Sequence, residues 1–322
     1  MIANSGEYRK KNGQRGYVMI NNFIFENKTK VYFGKGGVKE YLGGLLANFG
    51  ETVMLAYGGG SIKCNGVYDE IMGILNAQGK CVVEFSGIMS NPTYAKVQDG
   101  AKLAHENHVD LILAVGGGSV SDCCKVISGA FDTLSHAMET YFGKPDENNL
   151  SDDINEAVMR SVIRSIRILL TDPENYDARS ELAQASAMAE NGVLKIGKVT
   201  DFQAHQIQHQ LGAYTDCNHG AGLAVIHPVL YRHIYKSGAA RFARFAQNVW
   251  GIAPKGSDGE TAAGIDALAS FIKEIGLPTS FAELGIPADT DFRAITDSTN
   301  VTAGCCKKLT RDEIYEILQE CL

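Results

Sequence analysis

Two pairs of ionisable side chains lie four residues apart in the second half of the chain. Asp132 precedes His136 by four residues, and His205 precedes His209 by the same interval. A further candidate, His219, follows the connection 212–218. Residues four apart share one face of a helix, so each pair can point at a common centre. Imidazoles with one carboxylate and no thiolate suit a divalent ion such as Fe(II) or Zn(II), and ligand type alone does not choose between these metals.

The alternative interpretation of a histidine on an apolar helix is a hydrogen-bonded core residue. We assign that structural role to the remaining histidines, which are His105, His108, His227 and His233. The other four histidines fall with Asp132 in short windows at ligand spacing, and Gly220 and Gly222 leave room beside His219. The spacing therefore predicts a metal site in which His209 is still one of the possible ligands.

Three glycines and a serine, Gly116, Gly117, Gly118 and Ser119, follow an apolar segment and precede a helical stretch that contains Asp122. Glycines let a pyrophosphate approach the backbone closely, and the free N–H groups at a helix start favour an anion. This pattern predicts the phosphate-binding turn of a dinucleotide site. A tight turn without a ligand is the alternative.

A second glycine triplet, Gly58, Gly59 and Gly60, is followed by Ser61 and Lys63. In dinucleotide folds the corresponding strand end meets the adenosine ribose, where an acidic residue binds the 2′-hydroxyl of NAD. The glycines supply no carboxylate here, while the serine and lysine supply a hydroxyl and a cation. The turn therefore predicts a site for the 2′-phosphate of NADP, with an ordinary turn and an exposed lysine as the alternative.

Short apolar segments alternate with helical patterns in the first part of the chain. The predicted strands are 30–33, 52–57, 81–85 and 111–115, and the predicted helices lie near 37–48, 63–78 and 93–107. Nearly continuous apolar strands are typical of a parallel sheet that is covered on both faces, so the pattern is βαβαβα with right-handed crossovers. After about Ser128 the pattern is helical. We predict a leader, 1–20, that is disordered, a dinucleotide-binding α/β domain, 21–130, and an all-helical metal-binding domain, 131–322.

Composition excludes several classes of protein. A formal net charge of -7 provides no basic surface for nucleic acid phosphates or anionic lipids. No apolar run has the length of a membrane span, and the N-terminus lacks a secretion signal, so a cytoplasmic protein is expected. The eight cysteines show no CxxC spacing and are expected to be free thiols.

Taken together, these motifs resemble the iron-containing alcohol dehydrogenase family, and within it the butanol dehydrogenase-like, NADP(H)-using branch. The resemblance extends over nearly all of the chain from Asn21. Its motifs are Asn-Phe-Ile-Phe at 22–25, the turn at 57–63, GGGSxxDxxK at 116–125, DxxxHxxE at 132–139 and HxxxHxLGxxxxxxHG at 205–220. It implies an α/β fold with a Rossmann-like N-terminal domain and an all-α C-terminal domain, with a cleft between them.

The resemblance also implies roles for individual residues. The metal ligands would be Asp132, His136, His205 and His219, whereas His209 would lie beside the nicotinamide as the catalytic residue for positioning or proton relay. The cofactor-binding residues would be Gly58, Gly59, Gly60, Ser61, Lys63, Gly116, Gly117, Gly118, Ser119 and Asp122. The implied reaction is hydride transfer between NADP(H) and a short primary alcohol or aldehyde, with the metal as a Lewis acid. A homodimer is also implied.

One segment of the family pattern is missing. In the family several dozen residues, including further strands, separate the helix after GGGS from the DxxxH helix, whereas only residues 128–131 join them here. We therefore predict an internal deletion between Ala130 and Phe131, which truncates the parallel sheet, exposes its edge and opens one wall of the cofactor cleft. A catalytically impaired nucleotide- or metal-binding paralogue and an internally truncated chain are alternatives. A glycerol dehydrogenase-like or dehydroquinate synthase-like enzyme is a second alternative, which a preference for NAD would favour.

Overall fold

The chain folds into two units. The computed structural model describes residues 24–25, 30, 32, 34–88, 94–116, 123–144, 147–200, 202–253, 259–302 and 306–322. One unit consists of Lys28–Lys125, and the other includes Val126–Leu322. The predicted leader, 1–20, lies outside the described residues, and the domain boundaries 21–130 and 131–322 stay predictions.

The first unit contains a small parallel sheet. Its strands are β1, Thr52–Tyr57, β2, Cys81–Phe85, and β3, Leu111–Val115, in the order β2-β1-β3. Its helices are α1, Gly37–Leu46, α2, Ser61–Cys64, α3, Val67–Ala77, and α4, Tyr94–Glu106. Both pairings are parallel, with Val53 opposite Val82 on one side and Leu111 on the other. The three strands confirm the predictions for 52–57, 81–85 and 111–115. Of the predicted strand 30–33, Lys30 and Tyr32 are not in a strand, and the other two residues lie outside the described part.

The central strand carries the core of this unit. Val53 and Leu55 of β1 are fully buried and pack with Leu75 of α3. The outer strand β3 is different, because its Ile112 side chain remains 59% exposed. Among the described residues β3 pairs with β1 alone, so the sheet ends there. The short parallel sheet of the predicted Rossmann-like domain is thus confirmed, and in the part of the chain that the structure describes no strand pairs with the outer side of β3.

The second unit is helical, and its first helix also includes residues 123–125 of the first unit. Its helices are α5, Cys123–Tyr141, α6, Leu150–Thr171, α7, Tyr176–Glu190, α8, Gln203–Thr215, α9, His219–Ile234, α10, Ala239–Asn248, α11, Gly259–Glu274, α12, Phe292–Ser298, and α13, Arg311–Glu320. Short 3₁₀ turns occupy Val193–Lys195 and Tyr235–Gly238. The β-structure described in this unit is a single bridge between Lys144 and Val199. None of the helices described is both long and apolar enough to cross a membrane.

The helix α5 continues without a break through Ala130 and Phe131, where the sequence predicts the deletion. Phe131 and Leu134 are fully buried in the core of the helical unit, and the Phe131 ring lies 6.2 Å from the ring of His227. Burial of these side chains fixes the rotation of α5 about its axis. That rotation determines where the Asp132 carboxylate points.

Candidate metal centre

The Asp132 carboxylate lies among three imidazoles. Its Oδ1 atom is 3.4 Å from Nε2 of His205, 3.4 Å from Nε2 of His219 and 3.7 Å from Nε2 of His136. Ligand atoms of Asp132, His205 and His219 all lie within 4.8 Å of one another. The structure therefore brings together all four residues that the resemblance implies as ligands.

Three helices supply these side chains. Asp132 and His136 lie one turn apart on α5, and His205 lies in the first turn of α8. His219 is the first residue of α9, whose start is fixed by the Asn218 side chain, which accepts a hydrogen bond of 3.0 Å from the Ala221 N–H. Because the helices α8 and α9 pack together across a short connection, His219 returns to the face that carries His205.

A second layer of polar groups orients two of the imidazoles. Nδ1 of His205 contacts the Glu139 carboxylate, and Nδ1 of His219 contacts Oε1 of Gln208. An acceptor at Nδ1 holds the proton on that nitrogen and leaves the lone pair of Nε2 free for a metal. Gly222 makes room for the glutamine, because a Cβ at position 222 would lie 3.1 Å from its Cγ.

Glu139 has a second role at the start of α8. Its Oε1 accepts a hydrogen bond of 2.6 Å from the Ala204 N–H, and its Oε2 lies 3.3 Å from the His205 N–H. Phe202, the N-cap residue of α8, provides no side-chain hydrogen bond. The Glu139 carboxylate from α5 instead accepts from two of the backbone N–H groups that the start of a helix leaves unpaired. One buried side chain thus fixes both the helix start and the ring of His205.

The third imidazole is oriented more weakly. Nδ1 of His136 lies 3.0 Å from Oε1 of Glu190, at the end of α7, without the alignment of a hydrogen bond. The Glu190 side chain is 52% exposed. His136 also contacts the rings of His205 and Phe202, whose centroids are 4.3 Å and 5.4 Å away. Ring packing therefore contributes more than the carboxylate to the position of His136.

The electrostatics of the centre keep the Asp132 carboxyl group anionic and separate the pKa values of the imidazoles around it. Burial raises the pKa of Asp132, but the neighbouring imidazoles of His205 and His219 outweigh it and hold that pKa well below its usual range. Burial, and then the charge of His205, lowers the pKa of His136 to about 4. Burial also opposes the protonation of His205, yet the carboxylates of Asp132 and Glu139 raise its pKa to about 9.

The donor set fits a divalent metal ion. Oδ1 of Asp132 and Nε2 of His205 are buried and have no hydrogen-bond partner, a costly arrangement unless a ligand satisfies them. In a tetrahedral site with metal–ligand bonds of about 2.1 Å, the ligand atoms lie about 3.4 Å apart. The distances from Asp132 Oδ1 to Nε2 of His205 and of His219 have this value. The side chains of Asp132 and His219 are 29% and 31% exposed, so one side of the centre is open to a small molecule.

His209 stands beside the centre. Its ring stacks on that of His219, with centroids 5.4 Å apart and an interplanar angle of 21°, and lies 5.8 Å from the ring of His205. Burial, and then the charge of His205, lowers the pKa of His209. The spacing argument alone left His209 as a possible ligand, whereas the described ligand cluster of Asp132, His205 and His219 does not include it. Its catalytic role stays a prediction.

The predicted nucleotide elements lie in the other unit. Gly58, Gly59 and Gly60 follow β1, and a Cβ at either of the last two would meet no atom within 4 Å. Lys63 lies in α2, with its Nζ 3.6 Å from Oε2 of Glu84. Gly116 directly follows β3. The other residues predicted for the pyrophosphate turn, Gly117, Gly118, Ser119 and Asp122, lie outside the described residues.

Three site residues had no predicted role: Glu139, Gln208 and Glu190. Glu139 is seven residues after Asp132 in a helical pattern. This spacing places both side chains on one face of the helix, so it could have indicated that Glu139 lies near the site. Gln208 lies between two candidate histidines, but an uncharged amide gives no signal by itself. Glu190 comes from a separate helix, and no local pattern connects it with His136.

Two family models match the sequence. The model described as "Fe-containing alcohol dehydrogenase family, C-terminal" matches residues 126–322, and the model described as "Iron-containing alcohol dehydrogenase" matches residues 28–158. The first match covers more than half of the chain and contains all four residues of the candidate metal centre.

Curated proteins and solved structures agree with this result. The chain is 30% identical to a probable NADH-dependent butanol dehydrogenase 2 of Bacillus subtilis, over 94% of this chain and 100% of that protein. It is 26% identical to the NADPH-dependent aldehyde reductase YqhD of Escherichia coli, over 83% and 90%, respectively. The crystal structure of NADH-dependent butanol dehydrogenase A from Thermotoga maritima superposes with a TM-score of 0.87 at 27% identity, covering 94% of this chain and 99% of that one.

The length of these alignments bears on the predicted deletion. The alignment with the Bacillus subtilis protein runs over 392 residues, although this chain has 322. The relative therefore contains residues that have no counterpart here. This difference agrees with the short sheet and with the direct continuation of α5 through Ala130 and Phe131.

Proposed function

Because the chain belongs to the iron-containing alcohol dehydrogenase family, we propose that it transfers a hydride between NADP(H) and a short primary alcohol or aldehyde at a divalent metal centre. The observation that carries the proposal is the position of Asp132 Oδ1 among the Nε2 atoms of three histidines. The proposed ligands are Asp132, His136, His205 and His219. The proposed metal is Fe(II) or Zn(II), because both accept imidazole and carboxylate.

The metal ion and the nucleotide supply the chemistry that side chains do not have. When bound, the ion supplies Lewis-acid polarisation of an alcohol or aldehyde oxygen, and the nicotinamide supplies or accepts the hydride. The protein holds the ligands in place: Glu139 and Gln208 fix the imidazoles of His205 and His219 through their Nδ1 atoms. Fixed ligands keep the geometry of the centre constant during the reaction.

His209 is the side chain proposed to hold or pass the proton that accompanies hydride transfer. His209 lies next to His219 and is partly exposed, and its pKa is lowered by partial burial and by the charge of His205. A neutral imidazole near pH 7 can accept a proton at one nitrogen and donate from the other. The exposed position connects it with solvent.

The preference for NADP(H) is supported by the turn after β1. Gly59 and Gly60 leave open space, and Ser61 and Lys63 follow directly with a hydroxyl and a cation. Relatives with 26–30% identity are named for either cofactor: the butanol dehydrogenases for NADH and the aldehyde reductase for NADPH. We also propose a homodimer in the cytoplasm, which size-exclusion chromatography and cell fractionation would test.

Aldehyde-dependent oxidation of NADPH by protein reconstituted with Fe(II) or Zn(II) tests the proposed reaction. Butyraldehyde serves as the substrate, NADH is run in parallel, and His205→Ala is the blank. We expect metal-dependent turnover that is faster with NADPH and is lost in the variant. Turnover that is unaffected by metal removal would contradict the proposal.

The alternative function is a catalytically impaired paralogue that binds nucleotide and metal. Two observations favour it: among the described strands none pairs with the outer side of β3, and a relative contains residues that this chain lacks. Such a protein would bind NADPH and one metal ion with ordinary affinity but show no butyraldehyde-dependent oxidation. The same assay, together with nucleotide titration, distinguishes the two functions.

A further inference from the structure

Four side chains form a polar cluster at the end of the strands β1 and β2. The Glu84 carboxylate accepts a hydrogen bond of 2.5 Å from the hydroxyl of Tyr57 and one of 2.7 Å from the hydroxyl of Tyr68. Nζ of Lys63 lies 3.6 Å from Oε2 of the same carboxylate and 4.5 Å from the centre of the Tyr68 ring. In this cluster, the Glu84 carboxylate is the anion, Lys63 is the cation that pairs with it, and Tyr57 and Tyr68 donate hydrogen bonds to the carboxylate.

The cluster lies at the glycine turn that follows β1. Glu84 is the penultimate residue of β2. The backbone after β2 is hydrogen-bonded to the glycine turn, because the Gly87 N–H donates to the Gly58 carbonyl at 2.9 Å. The carboxyl ends of parallel strands are where open α/β sheets bind nucleotides. A carboxylate therefore stands at this end of the sheet, although the glycine triplet itself provides none.

We propose that Glu84 limits the preference of this protein for NADPH over NADH, because its carboxylate competes with the 2′-phosphate for Lys63. The inference rests on the proposed function, since it assumes that a nicotinamide dinucleotide binds at this turn. It assigns a specificity-determining role to a residue on β2, outside the glycine turn.

The charge of Glu84 is well maintained. The hydrogen bond from Tyr57, and then the one from Tyr68, lowers the pKa of the carboxyl group, so it is an anion at neutral pH. A phosphate that approaches Lys63 meets this anion beside the cation, and like charges at such distances repel each other. NADH carries no 2′-phosphate and avoids the repulsion.

The size of the effect follows from exposure. The side chains of Lys63 and Glu84 are 49% and 41% exposed, so solvent screens both the attraction and the repulsion. Measured energies of exposed charge pairs correspond to about a two- to fivefold change in an equilibrium constant. Glu84 is therefore expected to shift the preference between the two cofactors by about that factor.

The substitution Glu84→Gln removes the charge and keeps an oxygen that can accept a hydrogen bond from the hydroxyl of the buried Tyr57. Glu106→Gln is the matched control, because it removes the same charge from an exposed ion pair with Lys102 on α4. Lys63→Gln tests the cation itself. The probes are adenosine 2′,5′-bisphosphate and adenosine 5′-monophosphate, titrated by calorimetry into the full-length protein.

We expect Glu84→Gln to bind adenosine 2′,5′-bisphosphate about two- to fivefold more tightly than the wild type, with adenosine 5′-monophosphate unchanged. The control should change neither affinity, and Lys63→Gln should weaken binding of the bisphosphate alone. If both probes bind but Glu84→Gln leaves their ratio unchanged, the inference is wrong and the proposed function stands. If neither probe binds to any of the proteins, the proposed function is wrong and the inference with it.

Discussion

Glu139 and His205 are joined twice: the Glu139 carboxylate contacts Nδ1 of the His205 ring and also lies 3.3 Å from its backbone N–H. Glu139 is 3% exposed and His205 is 3% exposed, so water does not replace either contact. The metal centre and the start of α8 therefore depend on the same buried carboxylate.

Glu139→Gln should weaken both metal binding and the fold. Glutamine has one acceptor oxygen, so it cannot serve both the imidazole of His205 and the two N–H groups of α8. We expect metal affinity to fall about 10- to 100-fold, as for other partners of ligating histidines, and the free energy of unfolding to fall by about 1 to 3 kcal/mol. Chelator competition and urea unfolding measure the two quantities.

Glu190→Gln is the control for Glu139→Gln, because Glu190 is half exposed and is not aligned with His136. Its effect on metal affinity should be several times smaller. Equal losses in the two variants would show that buried hydrogen bonding to His205 is not what fixes the centre.

Gly222→Ala should displace Gln208 from His219. A Cβ at position 222 would lie 3.1 Å from Cγ and 3.2 Å from Nε2 of Gln208, closer than ordinary contact. The amide then turns away, and the His219 ring loses the acceptor at its Nδ1. We expect about a tenfold loss of metal affinity with little loss of stability.

Gly73→Ala is the matched control for Gly222→Ala. Gly73 also lies inside a helix, α3, and a Cβ there would meet no atom within 4 Å. The control should increase stability by up to about 1 kcal/mol, because alanine favours helix, and leave metal binding unchanged. A tighter metal site in Gly222→Ala would be incompatible with the role assigned to Gln208.

Three of the four predicted strands are confirmed, at 52–57, 81–85 and 111–115. The segments of β1, β2 and β3 are nearly continuous apolar runs, because a parallel sheet covered by helices requires them, and this requirement is visible locally. The continuity of α5 was harder to anticipate. Only residues 128–131 connect the helix after GGGS to the DxxxH helix, and both patterns belong to one continuous helix, Cys123–Tyr141.

For the candidate metal site, spacing pointed to side chains that the structure brings together, but it did not assign their roles. His205 and His209 share a helical face, so the sequence alone could not choose between them as ligands. The choice of ligand depends on how α8 packs against α9. This packing places the His219 ring near that of His205 and stacks it on that of His209. Contacts between helices far apart in the sequence, such as that of His136 with Glu190, leave no local pattern.

Asp152→Ala should be among the most destabilising single substitutions in the helical unit. The Asp152 side chain is fully buried, and its Oδ1 contacts Nζ of Lys198 and accepts a hydrogen bond of 2.8 Å from Arg241. Removal of the carboxylate takes a buried anion away from two buried cations, which costs about 3 to 5 kcal/mol. Urea unfolding monitored by circular dichroism measures the loss.

The neighbouring substitution Asp153→Ala provides the comparison for Asp152→Ala. The Asp153 side chain is 62% exposed and pairs with Arg244, so its removal should cost less than about 1 kcal/mol. Similar losses in the free energy of unfolding for the two variants would contradict the prediction that the buried carboxylate contributes more than the exposed one.

Removal of the metal should lower thermal stability. An ion that binds the folded state alone stabilises it by about 2.7 kcal/mol at a free concentration one hundred times its Kd, which corresponds to about 5 to 10 °C in Tm. We expect a chelator to lower the Tm of the reconstituted protein by that amount and Zn(II) to restore it. The Tm of the His205→Ala variant should change neither with the chelator nor with Zn(II). A full change of Tm in that variant would mean that the ion binds at another site.

The most direct test of the metal centre is titration of the metal-free protein with Co(II), which reports its coordination through visible absorption. We predict a band that saturates at one ion per chain and is lost in both Asp132→Ala and His219→Ala. An unchanged band in either variant, or the absence of any band in the wild type, would contradict a centre built from Asp132, His136, His205 and His219.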